Sequence, residues 1–256
     1  MTALRLVTFN THHSVGDDGR HDLVRIAELL AATDADVICL QEVDRHYGPR
    51  SEGVDQALLL SRALDMQLAW GPAIDQPGRG VGGGPRQYGN ALLSRLPILI
   101  SDVHRLPGSC EPRSALRTML ELDGGTLWVT ATHLTTRSAA ERAEQVAALA
   151  ALHTEQMASG VLVGDFNARP DAPELHPLRE RFTDAWELAE DRGDQAGWRF
   201  WQRDEGHTHP AHSPHRRIDQ TWVSAGVTVA EARVLDAECA SDLLPFLVDL
   251  RIPSGV

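Results

Sequence analysis

The chain has 256 residues, with 24 Lys+Arg against 36 Asp+Glu and a formal charge of −12 at pH 7. With 42% hydrophobic and 23% charged residues it can bury a large core, which excludes a disordered chain and a fibre. The acidic balance excludes a protein that coats nucleic acid by charge alone, and every basic side chain is Arg, because the sequence contains no Lys.

Met1 leads straight into the strand-like Leu4 to Phe9, with no basic n-region or cleavage site, and no apolar stretch approaches membrane-spanning length. These features predict a cytoplasmic monomer without stable membrane insertion. Helical spacing follows over Leu23 to Leu30, and Asp36 to Gln41 returns to a strand pattern. A second helix is predicted over Asp55 to Leu64. The Pro/Gly-rich stretch from Gly71 to Pro85 reads as a loop, without the Gly-Lys-Ser/Thr of a P-loop.

Two strands are predicted on either side of Leu96-Pro97. Arg117 to Leu122 and Thr126 to Thr132 flank Asp123-Gly124-Gly125 as an antiparallel hairpin. Ser138, with Glu141 three residues on, opens the longest helical pattern, which runs until Ser159-Gly160 stops it; Val161 to Val163 then reads as a buried strand. Asp191 to His215 lacks periodicity and is predicted as a long loop, with Trp198, Phe200 and Trp201 packing beneath it. Strands resume at Ile218 to Val223, Thr228 to Val234 and Phe246 to Ile252. Cys39, Cys110 and Cys239 have no close pairing and read as buried inert thiols. No linker or repeat divides the chain, so residues 1–256 are read as one α/β domain with sheets packed together and helices outside.

Polar residues recur at the C-terminal ends of predicted apolar strands: Asn10, Glu42, His133, and Asp165 with Asn167. Asp219 and Asp242 stand near later strands. Strand ends hold ligand-binding groups on rigid scaffolding while the adjoining loops leave room for substrate. Taken singly, each of these residues is more often a turn former or a packed side chain than a catalyst.

In order along the chain stand Thr8-Phe9-Asn10, Leu40-Gln41-Glu42-Val43-Asp44, Gly89-Asn90-Ala91-Leu92-Leu93-Ser94-Arg95, Thr132-His133-Leu134, Gly164-Asp165-Phe166-Asn167, Arg217-Ile218-Asp219 and Ser241-Asp242. In this series the sequence resembles the endonuclease/exonuclease/phosphatase superfamily, the fold of DNase I. The resemblance implies a four-layer α/β/β/α sandwich with a phosphoester-hydrolysing site where strand ends meet. It implies Glu42 as the principal Mg²⁺ or Mn²⁺ ligand with Asn10 and Asp242 beside it, Asp165 at the attacking water, and His133 and Asn167 at the scissile phosphate. Asn90 and Arg117 are plausible phosphate-side contacts; for Arg117 a structural ion pair is the equal alternative.

One departure lies in the site. The family's last motif continues with His where this chain has Leu243, so Asp219 lacks the partner it has in the family. Three readings follow: one of His207, His209, His212 and His215 substitutes, the enzyme works without that group, or the chain is a phosphate- or nucleotide-binding pseudoenzyme. Retention of the other site residues favours activity. The net charge and 5% aromatic content rank a small phosphodiester, phosphomonoester or lipid headgroup above DNA, with a DNA nuclease as the alternative. Arg79, Arg86, Arg113 and Arg216-Arg217 are clusters that could line the site or stand solvated.

Overall fold

The computed structural model describes residues 1–78, 84–153, 159–194 and 205–254. Its strands are β1 (Thr2–Asn10), β2 (Val37–Arg45), β3 (Gln67–Gln76), β4 (Arg86–Ser94), β5 (Ile98–Leu106), β6 (Arg113–Leu122), β7 (Gly125–His133), β8 (Gly160–Asp165), β9 (Phe182–Asp184), β10 (Asp191–Asp194), β11 (Asp219–Ser224), β12 (Thr228–Val234) and β13 (Phe246–Ile252). They form a seven-stranded sheet ordered β10-β12-β13-β1-β2-β4-β3 and a six-stranded sheet ordered β5-β6-β7-β8-β11-β9. Both sheets are mixed: β1 runs parallel to β2 and β7 parallel to β8, while most other neighbours are antiparallel.

Helices α1 (Leu23–Ala32) and α2 (Gln56–Leu64) start where Asp22 and Asp55 accept hydrogen bonds from the backbone N–H groups of Arg25 and Leu58. Helix α3 (Ala139–Leu152) starts at Ser138, whose hydroxyl accepts from the Glu141 N–H. One apolar core runs from Ile26, Leu30 and Leu60 of the helices through Phe9, Leu40 and Leu92 of the first sheet to Leu116, Val129 and Val161 of the second. A smaller core joins Val146 and Leu149 of α3 to Leu162, Phe166 and Trp222 on the second sheet's other face. The result is an α/β sandwich with helices outside two packed sheets, as predicted.

Three sequence readings are corrected. Gly71 to Gln76 belong to strand β3 and not to a loop; β3 is an edge strand, and the sheet register shifts between Pro72 and Ile74, so the missing N–H of Pro72 falls where it can be tolerated. Asp191 opens with the short edge strand β10, paired in parallel with β12, before the long loop begins. Only Cys39 is buried; Cys110 and Cys239 lie in exposed turns, and the Arg137 guanidinium stands 2.6 Å from the Cys110 sulfur. The predicted Trp198, Phe200 and Trp201 cluster and Arg79 lie outside the described residues. No helix among the described residues is long and apolar enough to cross a membrane.

Arg217 belongs to the framework. Its guanidinium meets the Asp184 carboxylate at 2.6 Å, with 9% and 1% of the two side chains exposed. Removing one partner strands a buried charge, so Arg217→Ala is expected to cost about 3–5 kcal/mol in urea unfolding, against well under 1 kcal/mol for the exposed Arg95.

Candidate active site

The register of the second sheet sets polar residues side by side at one end. Ala115 faces Thr132 across β6 and β7, His133 faces Asp165 across β7 and β8, and Asp165 faces Asp219 across β8 and β11. Arg113, His133, Asp165 and Asp219 thus come from four neighbouring strands. The first sheet contributes Asn10 from the end of β1 and Glu42 from β2.

Local backbone exceptions aim these groups. The β2–β4 register shifts between Leu40 and Val43, and Glu42 inside that bulge has φ 58°, a conformation costly for a residue with a Cβ. Gly164, just before Asp165, has φ 141°, and a Cβ there would lie 1.9 Å from the Thr132 carbonyl oxygen; only glycine lets β7 and β8 approach this closely beside the site. Asn167 turns the chain at φ 49°, which Asn tolerates better than most residues.

The Asn10 amide joins the two sheets. Its Nδ2 donates to Glu42 Oε1 and to Asp165 Oδ2, each at 3.1 Å. Its Oδ1 accepts from the His12 N–H at 3.0 Å. Asn10 therefore presents donors to both carboxylates, and one lone pair of its oxygen is taken by the His12 N–H. Ser241 Oγ donates to the Asn10 carbonyl oxygen at 2.7 Å and fastens the segment carrying Asp242 to the end of β1. Asp242 itself is partly exposed, with Oδ1 3.9 Å from His12 Nδ1.

His133 is 5% exposed, and its Nε2 stands 3.7 Å from Asp165 Oδ2. Asp165 Oδ1 accepts from the Asn167 N–H at 2.8 Å, while Asn167 Nδ2 donates to the Leu134 carbonyl at 3.0 Å. Burial and the nearby Glu42 charge push Asp165 up to about 7, against the donors of Asn10 and Asn167. Burial opposes ionisation of Glu42 too, but the His13 ring, the Asn10 amide and the adjoining imidazoles outweigh it and bring Glu42 down to about 2. The site therefore sets a firmly ionised carboxylate beside one poised near neutral pH.

Asp219 is fully buried, and neither carboxylate oxygen has a hydrogen-bond partner among the described residues. Burial and the Asp165 charge hold it well above the usual carboxylate range, with a smaller opposing pull from the Thr208 hydroxyl. Leu243 is 4% exposed. None of the four loop histidines pairs with Asp219: His207 meets Glu205 at 3.0 Å, His212 lies 3.9 Å from Asp17, His215 Nδ1 meets the Ser213 carbonyl, and His209 Nδ1 is buried without a partner among the described residues.

The two substrate-side residues part company. Asn90 is buried and donates to the Ser114 carbonyl at 2.9 Å, a bond between the sheets. Arg117 is corrected to the structural alternative: its guanidinium is held by Asp102 at 3.2 Å and by the Leu152 carbonyl at the end of α3, and lies over the Trp128 ring. The residues that sequence reasoning missed as a group are His12, His13 and Arg113, which line a cleft of about 320 Å³ with Glu42, Tyr47 and His133. The consecutive histidines just after Asn10 were the available signal, and Arg113 was one surface candidate among several.

The Endonuclease/Exonuclease/phosphatase family model matches residues 7–242. The chain belongs to the endonuclease/exonuclease/phosphatase family. Among solved structures it is similar to a family protein from Beutenbergia cavernae, at 26% identity and TM-score 0.78 over 98% of this chain and 72% of that one. It is also similar to a mannosyl-6-phosphatase from Bacteroides thetaiotaomicron (17% identity, TM-score 0.73, 97% and 100% of the two chains) and to the human Nocturnin catalytic domain with bound sulfate (22%, 0.71, 98% and 94%). A search of curated proteins finds no match. The family's phosphoesterase fold is therefore that of this chain.

The donor set can be tested for the divalent cation that such a family implies. Among the described residues no three His, Cys, Asp or Glu groups form a cage. Mg²⁺ and Mn²⁺ take one or two carboxylates and keep several waters. Glu42, ionised at neutral pH and open to the cleft, fits that role.

Proposed function

We propose that this chain is an Mg²⁺- or Mn²⁺-dependent hydrolase of a small phosphodiester or phosphomonoester. The observation that carries the reading is the convergence of ionised Glu42 and near-neutral Asp165 on one Asn10 amide, with His133 beside them. Glu42, with Asp242 nearby, would hold the cation, which neutralises phosphoryl charge. Asp165 accepts the proton of the attacking water, as a base whose affinity matches neutral pH. His133 and Asn167 donate hydrogen bonds to phosphoryl oxygens as charge builds on them. Leu243 neither donates nor accepts, so the leaving oxygen takes its proton from water.

The net charge of −12 supports a small substrate over DNA, because nonspecific DNA binding draws its affinity from released counterions. The test is hydrolysis of bis(p-nitrophenyl) phosphate with Mg²⁺ or Mn²⁺. Turnover that stops in chelator and returns with added metal is expected, with little nicking of plasmid at physiological salt. Metal-dependent binding of phosphate without turnover would favour the pseudoenzyme reading.

A further inference from the structure

Arg113 has no part in the reaction as described above, yet among the described residues it is one of two buried arginines, with Arg217. It opens β6, is 8% exposed, and projects one guanidinium nitrogen, Nη1, to 2.8 Å from His133 Nδ1. Its Nη2 meets Glu111, a half-exposed carboxylate, at 3.0 Å. Its Nε is buried without a partner among the described residues.

A guanidinium has donors only and does not lose its charge in a protein. The Arg113–His133 contact therefore has one consistent assignment: Nη1–H donates and Nδ1 accepts. Nδ1 then carries no proton, and the single proton of the neutral ring sits on Nε2, the nitrogen 3.7 Å from Asp165 Oδ2. A doubly protonated ring would turn two donors on each other at hydrogen-bond distance. Burial and the Arg113 charge act in the same direction and, against a smaller opposing pull from the Glu42 charge, bring His133 down to about 3.

We infer that Arg113 is a positioning residue that fixes His133 as the neutral Nε2–H tautomer, so that this ring serves the phosphoryl group only as a hydrogen-bond donor. The inference rests on the hydrolase reading for its consequence, not for its geometry. That consequence is a division of labour: His133 cannot take a proton at the nitrogen facing the site, and Asp165 is left as the acceptor for the water proton. The wrong tautomer at a catalytic histidine can cost up to about 10⁴ in kcat, so a fixed one is a device with a large effect.

The test reads the ring directly. Long-range ¹H–¹⁵N spectra of the full chain, with the His133 signals assigned by their loss in His133→Gln, are expected to show one neutral ring protonated at Nε2 from pH 5 to 8. Arg113→Lys keeps an obligatory donor and is expected to keep that pattern. Arg113→Met removes the donor and is expected to populate Nδ1–H, with kcat on bis(p-nitrophenyl) phosphate down by about 10². A native ring protonated at Nδ1, or a Met variant with the native pattern, would overturn the inference. If the tautomer responds as described while no variant hydrolyses the diester, the positioning role stands and the hydrolase reading falls. If Arg113→Met does not fold, native and Lys spectra still decide: the inference fails when the native ring is mixed or when Lys loses the Nε2–H form.

Discussion

Glu42→Gln is expected to lower Mg²⁺- or Mn²⁺-dependent hydrolysis by about 10³ or more while leaving the fold intact. The substitution keeps shape and burial but removes the negative charge that makes this side chain the site's hard-cation ligand. It also disturbs the local electrostatics: Asn10 Nδ2 now donates to a neutral amide, and the charge that helps raise Asp165 is gone. The bulge holding residue 42 at φ 58° costs the same with Gln as with Glu, but the folded state stabilises the ionised carboxylate, so Glu42→Gln is expected to melt somewhat below native at neutral pH while still folding. Mg²⁺ titration by calorimetry, thermal unfolding and diester turnover on one preparation separate the contributions. Native-like turnover in Glu42→Gln at saturating metal would remove Glu42 from the mechanism; lost turnover in a cooperatively folded variant with weakened metal heat would support it.

Much of this architecture was legible in the sequence because period-2 and period-3.6 patterns report burial, and burial is what the sandwich is built from. The hairpin around Asp123-Gly124-Gly125 and the Ser138 cap are local signals that the structure repeats. Strand β3 was missed because Pro and Gly mark chain reversal in most places, whereas an edge strand with a bulge accepts both. Motif residues identified the ends of β1, β7 and β8, and in β2 a bulge within the strand where the sequence reading put its end, but not how their side chains are spent. Asn10 has its oxygen engaged by a backbone N–H, and Arg117 is consumed by Asp102. Arg113 illustrates the opposite error: nothing local in Glu111-Pro112-Arg113 distinguishes a solvated arginine from one that the β6–β7 register lays against His133. Such pairings are set by non-local register, which spacing along one strand does not carry.

Leu243→His is expected to raise diester turnover by about a hundredfold, the usual contribution of one added donor at a developing oxyanion. The neighbourhood is prepared for it: Asp219 is fully buried with neither oxygen partnered among the described residues, and Thr208 connects the two segments by accepting from the Asp219 N–H through its hydroxyl and from the Leu244 N–H through its carbonyl. An imidazole at 243 would give Asp219 a donor and would itself be oriented by that carboxylate. The gain should therefore depend on Asp219, and Leu243→His combined with Asp219→Asn is expected to lose most of it, a non-additivity that a double-mutant cycle measures. Stability against pH provides an independent reading of the same orphaned acid. Because the folded state holds the Asp219 proton more tightly than the unfolded state, the stability that this group contributes is fully present below about pH 3.8 and is lost as pH rises above that value toward its raised folded one. Asp219→Asn, which has no proton to lose and can donate to Asp165, is expected to flatten that slope and to melt on the order of 5 °C above native at pH 8 while differing little at pH 3.5. An unchanged slope in Asp219→Asn would mean that another buried acid governs it, with Asp165 the next to test.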